Sequence, residues 1–354
     1  MNLRQQVGQL IIAGVEGVEL TALEHAWLKL VRPGGVILFR RNIEQAAQVT
    51  NLLREATEIA GAPLFRCVDV EGGLVDRLRD LIAPMPSAAA VFATGKRANF
   101  VKHGRLIGQE AKTLGFNTTF APVLDLGLPA SAAVMRTRVV SADPDDVAEY
   151  ALAFAEGLEA EGVLGCGKHF PGLGGGTLDS HGALPLIERS WKELWEQDLA
   201  VFRALEPKLP MMMVAHAAYP LVKDKTPSSI SPFWITTVLK KRVGFTGLVV
   251  SDDMEMGGIL TQASMEEAVV KAVVAGTDVI EICKDPALVL RAYGALLAEA
   301  EGSTAFRRRV ETAALRVVEH KHRYLDAAMP RIASAAQIEK LRSNVKKFAE
   351  DVLA

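Results

Sequence analysis

Short continuous runs of apolar residues alternate with longer segments of helical periodicity along most of the chain. Runs such as Gly35–Phe39 contain no alternating polar positions, and runs of this kind are typical of parallel strands that are covered on both faces. Capping residues mark the starts of the intervening helices, as at Asp143-Pro144. Ser190 and Ser264 also cap predicted helices, and each of these two serines has a glutamate three positions later. The pattern therefore predicts an α/β protein in which strands and helices alternate.

Eight strand–helix units can be counted in this way. The predicted strands are 9–14, 35–39, 64–70, 119–125, 163–167, 211–216, 248–253 and 278–282. Eight units fit a (β/α)8 TIM-type barrel, which typically needs about 250 residues and grows by insertions in its loops. We expect residues 1–326 to form this barrel, and residues 327–354 to form a helical tail packed on it rather than a separate domain.

Composition and charge exclude several classes of protein. The formal net charge is −2, so a nucleic-acid binder is not favoured. No run of eighteen apolar residues occurs, and no membrane-spanning helix is expected. The apolar run near the start is too short for a signal peptide, and Cys67, Cys166 and Cys283 are odd in number and lie in apolar strands. These features predict buried thiols in a cytoplasmic protein.

Polar residues follow several of the predicted strands at the point where each strand ends. They are Asp69, Arg77, Asp125, Arg138, Lys168, His169, His216, Asp252, Asp253, Glu281 and Lys284. Barrels of this kind have their active sites at the carboxyl ends of the strands. We therefore expect these side chains to gather in one site.

The segment 168–181 contains a lysine, two histidines, an aspartate and four glycines within fourteen residues. Its glycines predict a loop, and loops rich in ionisable groups suit ligand binding better than core packing. Asp179 and His181 are two positions apart, so in an extended segment the aspartate could accept a hydrogen bond from the imidazole and raise its basicity. A surface loop with incidental charges is the alternative interpretation.

The residue types in this cluster indicate a class of chemistry. Carboxylates together with lysine, arginine and histidine make many directional hydrogen bonds to hydroxyl groups, as sugar binding requires. A carboxylate that acts as nucleophile is a device of glycosidases. Because neighbouring strand residues point to opposite faces, only one of Asp252 and Asp253 is expected to enter the site.

Three segments carry a resemblance to a known family. The segments 168–172 (KHFPG), 179–181 (DSH) and 251–256 (SDDMEM) resemble the signature of glycoside hydrolase family 3. They are most similar to its single-barrel β-N-acetylhexosaminidases of the peptidoglycan-recycling type. Further segments match in the same order, namely 69–73, 121–125 and 215–216. The resemblance covers about residues 5 to 300.

The resemblance implies a retaining exo-β-N-acetylglucosaminidase that acts on cell-wall fragments through a covalent glycosyl-enzyme, with a small carbohydrate as substrate and with no metal and no organic cofactor. By position, Asp252 corresponds to the nucleophile, His181 to the general acid/base and Asp179 to its partner. The implied sugar-binding residues are Asp69, Arg77, Arg138, Lys168, His169 and His216.

Three positions depart from the family pattern and bear on sugar preference. Leu173 stands where a second histidine is usual, Leu74 where arginine is usual, and Val70 where glutamine is common. A β-glucosidase or β-xylosidase, a glycoside phosphorylase and a non-catalytic sugar-binding barrel therefore stay open. A metal-dependent hydrolase is a further alternative, with His169, His181, His216 and Asp252 as its ligands.

Overall fold

A computed structural model describes residues 1–180, 182–326 and 328–354. Its centre is a closed barrel of parallel strands that pair around the ring in chain order. We number them β1 (Ile11–Gly14), β2 (Gly35–Leu38), β3 (Phe65–Val68), β4 (Thr118–Thr119), β5 (Leu164–Phe170), β6 (Met211–Val214), β7 (Leu248–Asp253) and β8 (Val279–Ile282). The predicted (β/α)8 barrel is confirmed.

Most strands differ from their predicted bounds by one or two residues, and β4 and β5 differ most. The fourth was predicted to span 119–125, but β4 ends at Thr119, since the proline at 122 has no N–H to continue the ladder. The segment still follows β5, because the Pro122 carbonyl accepts from the N–H of Lys168 at 3.1 Å. In turn, β5 continues to Phe170, so Lys168 and His169 belong to the strand rather than to the predicted loop.

The third strand also ends early, at Val68. Residues Val70–Gly72 pair in antiparallel fashion with Val75–Asp76 instead. This small hairpin stands at the carboxyl end of the barrel and carries Glu71 toward the barrel mouth.

Helices surround the barrel. Their bounds are Leu3–Gln9, Ala22–Val31, Ala46–Ala60, Ala88–Ala93, Arg97–Thr113, Ala132–Met135, Pro144–Glu161, Trp191–Glu193, Leu194–Asp198, Leu199–Leu205, Phe233–Val243, Gly257–Leu260, Met265–Ala275, Pro286–Gly302, Thr304–Tyr324 and Ala335–Leu353. The predicted capping boxes at Ser190 and Ser264 are both present. None of these helices, within the ranges described, is long and apolar enough to span a membrane.

The barrel interior is filled with side chains. Ile12, Phe65, Phe120, Met211 and Val250 are among the apolar residues packed along its axis. The axis is therefore closed below the carboxyl ends of the strands, and a ligand can enter only from that end.

The last helix, Ala335–Leu353, packs on the outside of the barrel. It buries Leu341, Val345 and Phe348, and the Phe348 ring lies 6.1 Å from the ring of His103 in the helix Arg97–Thr113. Arg342 donates to the carbonyls of Leu81 and Ile82. The tail is thus attached by both apolar and polar contacts.

Candidate active site

A cavity opens at the carboxyl ends of the strands, and polar residues of several strands and loops line it. They are Asp69, Glu71, Arg77, Arg138, Lys168, His169, Asp179, Ser180, Asp252, Asp253 and Glu281. Its apolar wall comes from Phe39, Val75, Phe120, Val134, Met135, Leu173, Leu178, Met213 and Met256. The structure therefore brings together most of the residues that the sequence suggested, with the exceptions described below.

Four charged groups form a buried network on one wall. Lys168 Nζ lies 2.8 Å from Asp69 Oδ1 and 2.7 Å from Glu71 Oε1. Arg138 binds both oxygens of Glu71 through two hydrogen bonds of 2.8 Å. Burial by itself would raise the pKa of Glu71, but Lys168 and Arg138 hold it well below its ordinary value. Burial likewise opposes the charge of Lys168, yet its two carboxylate partners raise its pKa.

His169 is oriented by Asp125. Its Nδ1 lies 2.6 Å from Asp125 Oδ2, and the same oxygen accepts from the His169 backbone N–H at 3.2 Å. The second oxygen of Asp125 accepts from the N–H of Leu173 at 2.7 Å. Because Nδ1 is engaged, Nε2 is the ring nitrogen that a ligand can use. Asp125 thereby joins the end of β5 to the start of the following loop.

Asp252 lies half-buried in the last part of β7 and lines the cavity. One of its oxygens accepts from the backbone N–H of Asp253 at 2.9 Å. Burial raises the pKa of this carboxyl, but His169, His216 and that hydrogen bond outweigh burial, so the pKa lies below its ordinary value. Asp252 is therefore ionised at neutral pH, as a nucleophile must be.

Asp253 also lines the cavity, so the prediction that only one of the two aspartates would enter the site was wrong. The pairing of β7 with β8 shifts register between Val279 and Glu281, which interrupts the regular alternation of side chains at this end of the strand. Burial, together with the charges of Glu255 and Asp252, raises the pKa of Asp253 to about 7.

His216 lies beneath this strand end and is fully buried. Its Nε2 donates to the carbonyl oxygen of Asp253 at 3.0 Å, and its Nδ1 lies 2.7 Å from Ser229 Oγ. Both ring nitrogens thus have protein partners that hold the end of β7. Its predicted contact with the sugar stays a prediction.

Arg77 reaches the cavity from the end of the hairpin. Its guanidinium carbon lies 5.8 Å from the centroid of the Phe39 ring. Its buried Nε has no hydrogen-bond partner among the described residues. Arg77 thus lines the cavity, while its Nε lies beneath the surface.

The loop after β5 contributes Asp179 and Ser180 to the cavity. The carbonyl of Asp179 accepts from the N–H groups of Gly182 and Ala183, which are hydrogen bonds of a turn rather than of the extended segment assumed from the sequence. Ser180 is buried, and its carbonyl accepts from the N–H of Gly258 at 2.9 Å. His181, the predicted general acid/base, lies outside the described residues.

The sequence argument did not assign a role to Glu71, Asp125, Glu281 or Cys283. Glu71 lies in the segment 69–73 that carries part of the family resemblance, and Asp125 and Glu281 were visible as strand-end carboxylates. The partners of Glu71 and Asp125 could not be read from the chain, because Lys168 and His169 are far away in sequence. The apolar wall had no comparable signal, since its residues resemble ordinary core.

A metal centre is not favoured by the donors in the described part of the chain. No group of three His, Cys, Asp or Glu residues there could hold an ion. Among the proposed ligands, His169 uses Nδ1 on Asp125, and His216 uses both nitrogens on protein atoms. Of the other two proposed ligands, Asp252 lines the cavity and His181 lies outside the described residues.

Comparisons with known sequences give a consistent result. The glycosyl hydrolase family 3 N-terminal domain matches residues 2–319. A protein named beta-hexosaminidase from Idiomarina loihiensis is 35% identical over 305 residues, which cover 85% of this chain and 91% of the relative. A protein of the same name from Pseudomonas aeruginosa is 36% identical over 287 residues, which cover 81% and 86%.

Solved structures give the same result. A glycoside hydrolase family 3 β-N-acetylglucosaminidase from Paenibacillus sp. strain FPU-7 has a TM-score of 0.89 at 30% identity, covering 98% of this chain and 69% of that chain. NagZ from Neisseria gonorrhoeae, solved in complex with N-trifluoroacetyl-D-glucosamine, has a TM-score of 0.73 at 30% identity, covering 87% and 98%.

Proposed function

Because the chain belongs to glycosyl hydrolase family 3 and is a glycoside hydrolase, we propose that it is a retaining exo-β-N-acetylglucosaminidase. Its proposed substrate is the terminal β-linked N-acetylglucosamine of cell-wall fragments, and catalysis takes place within residues 1–326. The observation that carries the proposal is Asp252, a carboxylate held ionised in the cavity at the end of β7. The names of the two curated relatives and of the Paenibacillus enzyme support the choice of sugar.

In this mechanism Asp252 attacks the anomeric carbon and forms a covalent glycosyl-enzyme. The histidines around it favour the anionic form, and the N–H of Asp253 fixes one oxygen, so the other can approach the sugar. Water then attacks the same carbon from the opposite side and releases the sugar with its original β configuration.

His181 protonates the leaving oxygen in the first step and accepts a proton from water in the second. An imidazole suits both roles near neutral pH, because its ordinary pKa lies close to 6.5. Asp179, which lines the cavity two positions earlier, is the proposed partner of this imidazole. The proposal is supported by the position of the loop, whose Ser180 is buried beside the helix that follows Asp252.

The sugar hydroxyl groups are bound by the charged wall. Asp69 and Lys168 form an ion pair that offers acceptors and donors in fixed positions, and Arg138 is anchored by Glu71. His169 offers Nε2, and Arg77 offers the part of its guanidinium that lines the cavity. His216, which holds the end of β7, is the last member of the proposed sugar-binding set.

The closed barrel axis favours cleavage from a chain end. Apolar side chains fill the barrel below the cavity, so a saccharide can enter only from the carboxyl ends of the strands, and we propose that its terminal residue does so. The three free, buried cysteines support a reducing compartment, and we propose a cytoplasmic location. Immunoblotting of fractionated cells tests that location.

A panel of p-nitrophenyl β-glycosides tests the function. We expect the N-acetylglucosaminide to give the highest kcat/KM, and preference for the glucoside or xyloside would contradict the proposed substrate. Asp252→Asn should lower kcat by about 1,000-fold or more, because an amide cannot act as the nucleophile that forms the covalent bond. Exposed Asp80→Asn is the matched control.

Two further measurements examine the acid and the acceptor. His181→Ala should slow natural glycosides far more than nitrophenyl glycosides, because nitrophenol needs little acid assistance to leave. Equal losses on both would contradict the acid role. Repeating the assay with phosphate, and analysing the product for a sugar phosphate, separates hydrolysis from phosphorolysis.

A further inference from the structure

Glu281 lies near the carboxyl end of β8 and lines the cavity. It is only 3% exposed, and its Oε1 accepts from the Cys283 thiol at 3.0 Å. Within the described part of the chain, this carboxyl forms no other hydrogen bond. Neither of its oxygens is among the buried atoms that lack a partner there. The second oxygen therefore remains available to a molecule in the cavity.

The groups that face Glu281 come from four strands. They are Asp69 and Cys67 from the end of β3, Cys166 from β5, Asp252 and Asp253 from β7, and Cys283 beyond β8. Burial raises the pKa of Glu281 well above its ordinary value, and the charges of Asp69 and Asp253 raise it further. A carboxyl group that carries its proton can donate a hydrogen bond, whereas a carboxylate can only accept one.

We propose that Glu281 is a further sugar-binding residue, and that its carboxyl group forms a hydrogen bond with the hydroxyl group of the sugar that also contacts Asp69. The inference rests on the proposed function only in taking the occupant of the cavity to be a terminal sugar. Glu281 would then help to determine specificity, a role that neither the family resemblance nor the proposed mechanism assigns to it.

The chemistry of a hydroxyl group fits this pair of neighbours. A hydroxyl donates one hydrogen bond and accepts up to two. Asp69, which is paired with Lys168, can accept a hydrogen bond from the hydroxyl group. Glu281 can then donate to the oxygen of the same group. A site built this way rejects a sugar that lacks the hydroxyl, because two buried polar groups would lose their partner.

The test compares Glu281→Leu with Glu281→Gln. Leucine fills a similar volume in an apolar barrel, so the variant should fold, which a thermal melt verifies. Glutamine keeps an acceptor for Cys283 and a donor for the sugar. With the aryl glycoside that the wild type cleaves best, Glu281→Leu should lose about 10- to 100-fold in kcat/KM, and Glu281→Gln less than about 5-fold.

The decisive readout uses the 3-, 4- and 6-deoxy analogues of that substrate, with Kd values for the corresponding free sugars as a measurement independent of turnover. For one deoxy analogue the wild type and Glu281→Leu should have equal kcat/KM values, because that analogue lacks the hydroxyl group that Glu281 contacts. Equal losses across the parent sugar and all analogues, no loss at all, or a glutamine variant as weak as the leucine variant would each overturn the proposal.

The control is Glu255→Gln, which removes a nearby charge outside the cavity lining, since Glu255 accepts from the N–H of Asp285. It should leave the pattern across the deoxy series unchanged. This experiment fails independently of the proposed function. If the wild type prefers another glycoside, the substrate proposal fails while the deoxy series of that sugar still examines Glu281.

Discussion

Asp252 and Asp253 are adjacent in sequence, and both line the cavity, but their surroundings have opposite effects on their charge. The imidazoles of His169 and His216 favour the anion of Asp252. Asp253 is buried beside Glu255 and Asp252, which raises its pKa to about 7. Two groups of the same type are therefore prepared for different states, a common arrangement in active sites.

The contact between Asp125 and His169 gives a prediction about a single side chain. Asp125→Asn places an amide where three N–H groups now find carboxylate oxygens. At least one of these donors would lose its partner, which costs about 1–3 kcal/mol of unfolding free energy. We expect kcat/KM to fall by about 10- to 100-fold because the His169 ring is no longer held.

Urea denaturation and steady-state kinetics measure both effects, with Asp80→Asn as the exposed control. An Asp125→Asn enzyme with unchanged kcat/KM would show that the orientation of His169 does not matter for turnover.

A backbone hydrogen bond from the N–H of Gly258 to the carbonyl of Ser180 joins the short helix Gly257–Leu260 to the loop after β5. Space at Gly258 is limited. A Cβ added there would lie 2.9 Å from the Ser180 carbonyl oxygen and 3.1 Å from Cβ of His216. The absence of a side chain at Gly258 thus allows the loop to sit against the helix that follows Asp252.

Gly258→Ala should displace the loop from this position. Because the loop carries Asp179, and His181 after it, we expect kcat on natural glycosides to fall by about 10-fold, with a smaller effect on nitrophenyl glycosides. The free energy of unfolding should change by no more than about 1–2 kcal/mol, since the displacement breaks a single hydrogen bond between the loop and the helix.

Kinetics on both substrate classes measure this, and Gly294→Ala is the matched control, because nothing lies within 4 Å of a Cβ at that helical position. Equal losses on the two classes would argue that the substitution disturbs Asp252 rather than the loop.

For the molecule as a whole, two buried contacts outside the active site bear on stability. Lys321 is 5% exposed, donates to Gln9 Oε1 at 2.7 Å and lies 5.3 Å from the centroid of the Phe65 ring. Burial lowers its pKa from 10.5 to about 7. Between those two values the unfolded chain binds more protons than the folded protein, so stability rises with pH in this window.

Lys321→Met should therefore stabilise the protein near neutral pH, and the gain should shrink by about 3 kcal/mol between about pH 6.5 and about pH 9.5. Urea unfolding at the two pH values measures the difference, with exposed Lys347→Met as the control. A gain that does not depend on pH would mean that packing, rather than ionisation, accounts for it.

The expectation that residues 327–354 are a tail rather than a domain can be examined through Phe348, which is fully buried. Phe348→Ala should cost about 3–5 kcal/mol and lower the midpoint of a single calorimetric transition. Leu353→Ala, at a largely exposed position, is the control. A separate low-temperature transition of the tail would contradict the expectation.

Much of the architecture follows from local patterns. Continuous apolar runs predicted strands covered on both faces, and caps such as Ser190 and Ser264 marked helix starts correctly. Strand ends were less accurate, because they depend on partners in neighbouring strands. The prediction for β4 extended past Thr119 since its apolar run continues, while the ladder stops before a residue that lacks an N–H.

The site divides in the same way. The chain alone indicated which residue types gather, because the carboxyl ends of parallel strands meet at one end of a barrel whatever their distance in sequence. It could not indicate the pairing of Lys168 with Glu71, the presence of both aspartates at the cavity, or the raised pKa of Glu281. Those properties depend on burial and on charges brought close by folding, and electrostatic energy varies with distance and surroundings rather than with sequence separation.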